Sequence, residues 1–335
     1  MAGKKSSNTL LIAELLEKFP NSSKKSIARM AHKMYPLLYT EDGARTTIRY
    51  LTGSCGNKNR WRLKDKIIKH DSTHTPQNPY GLPDSYADER PPYILPKVNN
   101  DILIVSDFHV PYHDNKATAC VIEYGRKEKI NTLFINGDLL DFHHLSRFSH
   151  DPHKRNTRHE FEAAIQLLKS LRKAFPKANI FYHKGNHDIR YELWLRQHPE
   201  IFHDEYYQLE NRLNLSELGI IMIDDKTITR AGKLSIHHGH YMFRGSSSPV
   251  SPARTILLKA KQSMVCGHTH KISEATATNL DGHIYTCFST GCLCELSPDY
   301  NPMANDNAHG FAHARIREDG SFTVKNFRIH NGKIL

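Results

Sequence analysis

Four short segments of this 335-residue chain carry side chains that can hold a divalent cation: Asp107-Phe108-His109, Gly137-Asp138-Leu139-Leu140-Asp141, Gly185-Asn186-His187-Asp188 and Gly267-His268-Thr269-His270. The donors are carboxylate, amide and imidazole. A phosphodiester is an anion that repels hydroxide, and two divalent cations side by side bind its oxygens, acidify a bridging water and neutralise charge in an in-line displacement. Together the four segments specify a two-metal, phosphoester-cleaving centre. Mixed oxygen and nitrogen ligation without thiolate suits Mn²⁺, Fe or Zn²⁺, and an octahedral preference with open water positions puts Mn²⁺ first.

The elements that must position these side chains are legible around them. Apolar, β-branched runs at 102–105, 132–135 and 180–182 precede the first three segments, and a weaker run at 264–266 precedes the fourth. Each set is therefore expected where a buried strand ends. In Asp-x-His and His-x-His the two side chains point the same way on a strand of period 2, which would aim both at one cavity. Strands at 102–105, 132–135 and 179–183 alternate with helical runs at 116–128 and 157–174, the signature of α/β layering. After residue 219 strands dominate, near 219–223, 227–230, 233–237, 263–266, 273–278, 283–289, 310–316 and 321–328, with one helix near 252–260. Two sheets packed face to face, with helices outside, account for that change.

The ordered set Asp-x-His, Gly-Asp-x-x-Asp, Gly-Asn-His-Asp, His-Gly-His and Gly-His-Thr-His resembles the calcineurin-like metallophosphoesterase superfamily over 101–335. The resemblance implies a four-layer α/β/β/α sandwich with its metals on loops at strand ends. It assigns Asp107, His109 and His270 to one metal, Asn186, His238 and His268 to the other, and Asp138 to both. Of three neighbouring histidines, the one before Gly239 matches the family ligand, so His238 is chosen, with His240 the pocket-lining runner-up. His187 matches the residue that meets the leaving-group oxygen as general acid or hydrogen-bond donor. Asp141 matches the carboxylate that orients His187, its bland alternative being a loop cap. Phe142 stands where phosphoprotein phosphatases of the superfamily carry a phosphate-gripping Arg, which argues against protein dephosphorylation. Gly-Asn-His-Asp and Gly-His-Thr-His are instead similar to the phosphodiesterase and repair-nuclease branches. Arg147, Arg155, Arg158, Arg190 and Arg244 are candidates for substrate contact.

The charge lies elsewhere. Residues 1–70 hold 15 Lys and Arg against 5 Asp and Glu, whereas the remainder holds 31 against 30, so nearly all of the net +11 belongs to the N-terminal fifth. A basic block of that kind reads as a polyanion-contacting surface. Its apolar spacing, with breaks at Pro20 and Pro36, predicts three short helices, the second burying Ile27, Ala28, Ala31 and Met34. The third, over 41–51, presents Arg45, Thr46, Arg49 and Tyr50 and runs on to Lys58, Arg60 and Arg62. This segment loosely resembles helix-turn-helix modules of bacterial and phage proteins; a solvated basic face on a helical bundle is the plain alternative. Residues 71–100, with six prolines, read as a linker between a 1–70 module and the 101–335 domain.

Six cysteines without a Cys-x-x-Cys pair point to a reducing cytoplasm rather than a disulfide scaffold. Cys292-x-Cys294 reads as buried structural cysteine before it reads as a ligand pair. No apolar run is long enough to span a membrane, and none resembles a signal peptide. The expected function is a two-metal phosphodiesterase or nuclease that attacks through a metal-bridging hydroxide. Its expected partner is nucleic acid, DNA before RNA, with no membrane. The alternatives are a phosphomonoesterase or small-nucleotide phosphodiesterase whose basic module binds a partner, and a DNA-binding regulatory protein on an inactive phosphoesterase fold. The polar stretch 291–309 is either a lid at the site or a solvated connection.

Overall fold

The computed structural model describes residues 7–19, 22–36, 38–52, 82, 90–146, 156–243, 249–298, 303 and 305–335, in two compact units divided between Arg90 and Pro91. Among its described residues the first unit contains three helices, α1 (Ser7–Lys18), α2 (Lys24–Met34) and α3 (Glu41–Leu51). Ser23 caps α2 by accepting the Ser26 N–H, satisfying one of the donors a helix start leaves unpaired. Ile12, Leu15, Leu16, Ile27, Ala28, Ala31, Ala44 and Ile48 form the shared core. Met34, expected in that core, is 46% exposed. Met30, one turn earlier, is buried with Ile27 instead, because residues three and four apart share a helix face.

The second unit begins with a two-residue strand, β1 (Tyr93–Ile94), inside the stretch read as linker. It pairs in parallel with β6 (Thr229–Ala231) and brings Leu95 into the core. The succession then runs β2 (Asp101–Val105), α4 (Asn115–Glu128), β3 (Thr132–Asn136), α5 (Thr157–Ala174), β4 (Asn179–His183), α6 (Asp188–Arg196), α7 (Pro199–Phe202), α8 (Leu209–Arg212) and β5 (Ile220–Ile223). After β6 come β7 (Leu234–Ile236), α9 (Pro252–Ala260), β8 (Met264–Cys266), β9 (Ile272–Thr278), β10 (Ile284–Thr290), β11 (His309–Ile316), β12 (Phe322–His330) and β13 (Lys333–Ile334).

One sheet has seven strands in the order β13-β12-β11-β2-β3-β4-β5, and the other six in the order β1-β6-β7-β8-β10-β9. Alternation along β2 shows how they stack. Leu103 and Val105 join Val121, Phe161 and Leu168 of the helices on one face, while Ile102 and Ile104 meet Leu234, Ile236, Val265 and Phe288 of the other sheet. Ala253 and Ile256 of α9 cover the far face of the second sheet against Met264, Cys266 and Cys287. The layering is helix, sheet, sheet, helix, as expected. β2, β3, β4 and β5 are mutually parallel, as are β7, β8 and β10. The segments carrying the candidate ligands therefore leave the carboxyl ends of β2, β3, β4, β7 and β8, where crevices form in α/β sheets.

Candidate metal centre

Strand ends alone do not aim the ligands. Asp107, His109, Asp138, His268 and His270 all have positive φ, between 48° and 69°. The expectation that Asp-x-His and His-x-His act as period-2 strand ends is thus corrected: both pairs lie beyond the last strand residue, in left-handed backbone. Such conformations are rare for residues with a Cβ and persist only where surrounding contacts hold them. Here the contacts cross between motifs. Asp107 N–H donates to the Gly137 carbonyl at 3.0 Å, His109 N–H to the Asp138 carbonyl at 3.0 Å, and His268 N–H to Asp107 Oδ2 at 3.0 Å.

Asp188 completes this frame. It is fully buried, and its two oxygens accept the N–H groups of Asp138 at 2.8 Å, Gly185 at 2.7 Å and Leu140 at 3.1 Å. Burial and the nearby Asp138 charge push its carboxyl up to about 6, against the pull of those N–H groups. The last Asp of Gly-Asn-His-Asp is a backbone organiser, a role its spacing does not disclose.

His109 Nε2 and His270 Nε2 are 3.1 Å apart. Their other nitrogens face acceptors: Nδ1 of His109 is 3.3 Å from Asp141 Oδ1, and Nδ1 of His270 is 3.8 Å from Cys294 Sγ. Asp107 Oδ1 lies 3.3 Å from His270 Nε2 and is buried without a hydrogen-bond donor. Electron pairs from three side chains thus converge where only a cation satisfies them, and the residues fit a divalent metal. A second convergence adjoins it. His238 Nδ1 donates to the Asn136 carbonyl at 2.8 Å, and its Nε2 stands 3.1 Å from both Asp138 Oδ2 and Asn186 Oδ1. His268 groups with Asp138 and His238. Asp138 Oδ2 is 3.7 Å from His109 Nε2 as well, so one carboxylate oxygen faces both clusters. Without metal, protons answer the same demand. Burial disfavours the charged imidazole of His109, but the carboxylates of Asp107, Asp141 and Asp138 outweigh it and hold the group at about 9. His238, likewise buried, reaches about 9 beside Asp138 and Asp107.

The sequence that builds these clusters on a two-sheet sandwich matches a known family. The calcineurin-like phosphoesterase family matches residues 101–272, half of the chain. The chain belongs to that family. This calcineurin-like phosphoesterase is 24% identical over 181 residues to the Gene 54 protein of Mycobacterium phage L5, a match covering 51% of this chain and 69% of that one. The Gene 54 protein of Mycobacterium phage D29 is 23% identical over 176 residues, with the same coverage. Among solved structures, the Escherichia coli phosphoesterase YfcE covers 68% of this chain and 98% of its own at 18% identity and a TM-score of 0.34. Membership makes the phosphoesterase a metal-dependent phosphoester hydrolase with a dinuclear divalent site.

His187 stands at the start of α6 with its ring 4.3 Å from that of His109. Its Nδ1 donates to the Asp141 carbonyl at 2.6 Å and is 3.3 Å from Asp141 Oδ1. Burial lowers His187 to about 4, with Asp138 opposing and His109 reinforcing that shift. The Arg190 guanidinium donates to the Asp141 carbonyl at 3.1 Å and lies 3.0 and 3.1 Å from the two His187 nitrogens. Among the candidate arginines, the fold brings Arg190 to the site. Arg158 is paired with Glu162 on α5, and Arg147, Arg155 and Arg244 lie outside the described residues.

Phe142 is fully buried, stacks on Tyr191 and meets Phe161 edge-on, so its position serves the core. Of the three neighbouring histidines, His237 turns away to the Asp225 carbonyl. His240 is buried 5.5 Å, ring to ring, from His238, with neither nitrogen hydrogen-bonded. Arg45 is paired with Glu41 at 3.1 Å and Asp42 at 3.4 Å, Arg49 is exposed, and Lys58, Arg60 and Arg62 lie outside the described residues. No described helix is long and apolar enough to cross a membrane.

Proposed function

We propose that this phosphoesterase is a phosphodiesterase of nucleic acid, DNA before RNA, using two divalent cations, Mn²⁺ first, with its basic N-terminal module on the polymer. The observation that carries the reading is His187. Its Nδ1 is fixed on Asp141, so Nε2, which faces the Arg190 guanidinium at 3.1 Å, is the nitrogen that exchanges a proton once substrate draws that guanidinium away. A sugar alkoxide is a poor leaving group that needs a proton as the P–O bond breaks, and a positioned imidazole supplies one.

Bound at the two clusters, the metals would supply Lewis-acid binding of phosphoryl oxygens and a nucleophile at neutral pH. Asp107, His109 and His270 would hold one, Asn186, His238 and His268 the other, and Asp138 would serve both. The chain's own part is orientation and proton movement. Asp141 keeps the His187 ring in one tautomer; burial and the Arg190 charge hold that ring neutral, so Nε2 takes up a proton only as the negative charge of bound substrate offsets them, and then hands it to the departing oxygen. The buried Phe142 supports a diester substrate, because the position offers no guanidinium to grip a free phosphoryl group.

The test is hydrolysis with Mn²⁺ of bis-p-nitrophenyl phosphate, p-nitrophenyl phosphate, single- and double-stranded DNA, and RNA, with His187→Ala as control. Cleavage of the diester and a polynucleotide, lost in the variant, is expected. Turnover of the monoester or a small diester alone would sink the nucleic-acid reading and leave the basic module to a protein partner.

A further inference from the structure

Each imidazole at the centre with a resolved Nδ1 contact leans on a distinct acceptor. His109 leans on the Asp141 carboxylate, His187 on the Asp141 carbonyl and His238 on the Asn136 carbonyl. His270 leans on sulfur: Cys294 Sγ is 3.8 Å from its Nδ1, and the Cys292 thiol lies beside the same ring. Cys266 and Cys287, also buried, pack in the apolar layer under α9.

The backbone around the thiol pair is tied to both loops of the first metal cluster. Leu293 N–H donates to the Asp107 carbonyl at 3.1 Å. Cys292 N–H donates to the Ala308 carbonyl at 3.0 Å, and Ala308 N–H in turn donates to the His270 carbonyl at 2.8 Å. His309 Nε2 donates to the Cys294 carbonyl at 2.8 Å, fixing the residue that carries the sulfur. This end of the 291–309 stretch is therefore a clamp joining Asp107 to His270, neither lid nor solvated connection. The backbone carrying its sulfurs is hydrogen-bonded at Cys292, Leu293 and Cys294. The acceptor on the far nitrogen of a metal-binding imidazole sets its tautomer and angle, and removing such a group typically costs about 10- to 100-fold in metal affinity.

We infer that Cys294, supported by Cys292, is a positioning residue for His270: its sulfur accepts the Nδ1 proton and so presents Nε2 to the first metal position. The inference rests on the two-metal reading above. It predicts unequal metal positions: His238 at one is braced by a carbonyl oxygen, whereas His270 at the other is braced by a thiol, a weak acceptor.

The experiment measures Mn²⁺ stoichiometry and affinity of the full chain by competition with a chelating dye, beside the thermal melting of the metal-free proteins. Cys294→Ala is expected to weaken one of the two ions by about 10- to 100-fold and leave the other unchanged, at an unchanged metal-free melting temperature. Cys294→Ser, which restores an acceptor, is expected to recover most of that affinity. Two ions bound as tightly by Cys294→Ala as by wild type would overturn the inference, as would equal losses in the Ala and Ser variants. Should the variants fold poorly, the wild type decides. Methylthiolation of Cys294 in the metal-free protein, located by peptide mass spectrometry, is expected to cut the bound Mn²⁺ from two to one; two ions retained by labelled protein overturn the inference. A wild type that bound no Mn²⁺ would instead reject the two-metal reading itself, and this inference with it.

Discussion

Asp141 serves two imidazoles with one oxygen: Oδ1 lies 3.3 Å from Nδ1 of His109 and 3.3 Å from Nδ1 of His187. The consequences of removing it and of removing His187 should therefore separate. His187→Ala removes the proton carrier and leaves every proposed ligand in place, so bis-p-nitrophenyl phosphate hydrolysis should fall about 10²- to 10⁴-fold with two metals still bound. Asp141→Asn keeps the main-chain carbonyl that holds His187 but replaces the carboxylate beside His109, so it should weaken one metal about 10- to 100-fold, as measured by chelator competition, and lose rate through that weaker binding. Equal metal affinity in the two variants would show that Asp141 does not orient His109. Asp188 makes a third case, because it is no proposed ligand and accepts three backbone N–H groups from buried positions. Asp188→Asn replaces one accepting oxygen by an amide nitrogen facing N–H donors. The metal-free protein should lose about 1 to 3 kcal/mol of stability in a denaturant melt. An unchanged midpoint would mean that the frame around Asp138 is held by other contacts.

At the scale of elements, glycine decides how closely the motifs approach. A Cβ on Gly185 would lie 2.2 Å from Asp138 Oδ1 and 2.5 Å from Asp138 N, closer than a carbon can stand. The gap between β3 and β4 ends is thus set by a missing side chain. Gly185→Ala should displace Asp138, which faces both metal clusters, and so abolish binding of at least one Mn²⁺ by stoichiometry; two ions retained would contradict the close packing of these loops. This arrangement was partly legible in the sequence. Apolar runs followed by Asp, Asn or His announce strand ends, because burial on both sheet faces demands continuous β-branched residues. His238, chosen ahead of His240, stands 3.1 Å from Asp138 Oδ2 and from Asn186 Oδ1. Three things were hidden. The left-handed backbone at Asp107 and His268 arises from hydrogen bonds to distant loops, so no local residue preference records it. β1 is two residues long, too short for any periodicity, and exists because β6 offers it an edge. Cys292 and Cys294 read as core filler because their spacing carries no metal signal; their contact with His270 depends on a return of the chain from β10.

At the scale of the whole molecule, chemistry and charge are segregated. The phosphoesterase fold holds nearly balanced charge, while residues 1–70 hold an excess of ten positive charges. A nuclease must hold a polymer as well as cut it, and neutralising phosphates releases condensed counterions, so binding falls with salt in proportion to the contacts made. The pairs Arg45 makes with Glu41 and Asp42 are partly exposed, and such pairs contribute about 0 to 1 kcal/mol, so they do not keep that guanidinium from a phosphate. The full chain should bind duplex DNA with a steep negative slope of log K against log salt. Replacing Arg45, Arg49, Lys58, Arg60 and Arg62 together by Gln should flatten that slope by up to about 4 to 5, since each duplex phosphate contact contributes about 0.9. Hydrolysis of bis-p-nitrophenyl phosphate, which needs only the metal centre, should be unchanged in the same variant. A wild-type slope in a folded variant would move the basic face from nucleic acid to another partner. A slope that flattened together with loss of small-diester turnover would instead mean that the substitutions had reached the catalytic unit, which the division of charge along this chain argues against.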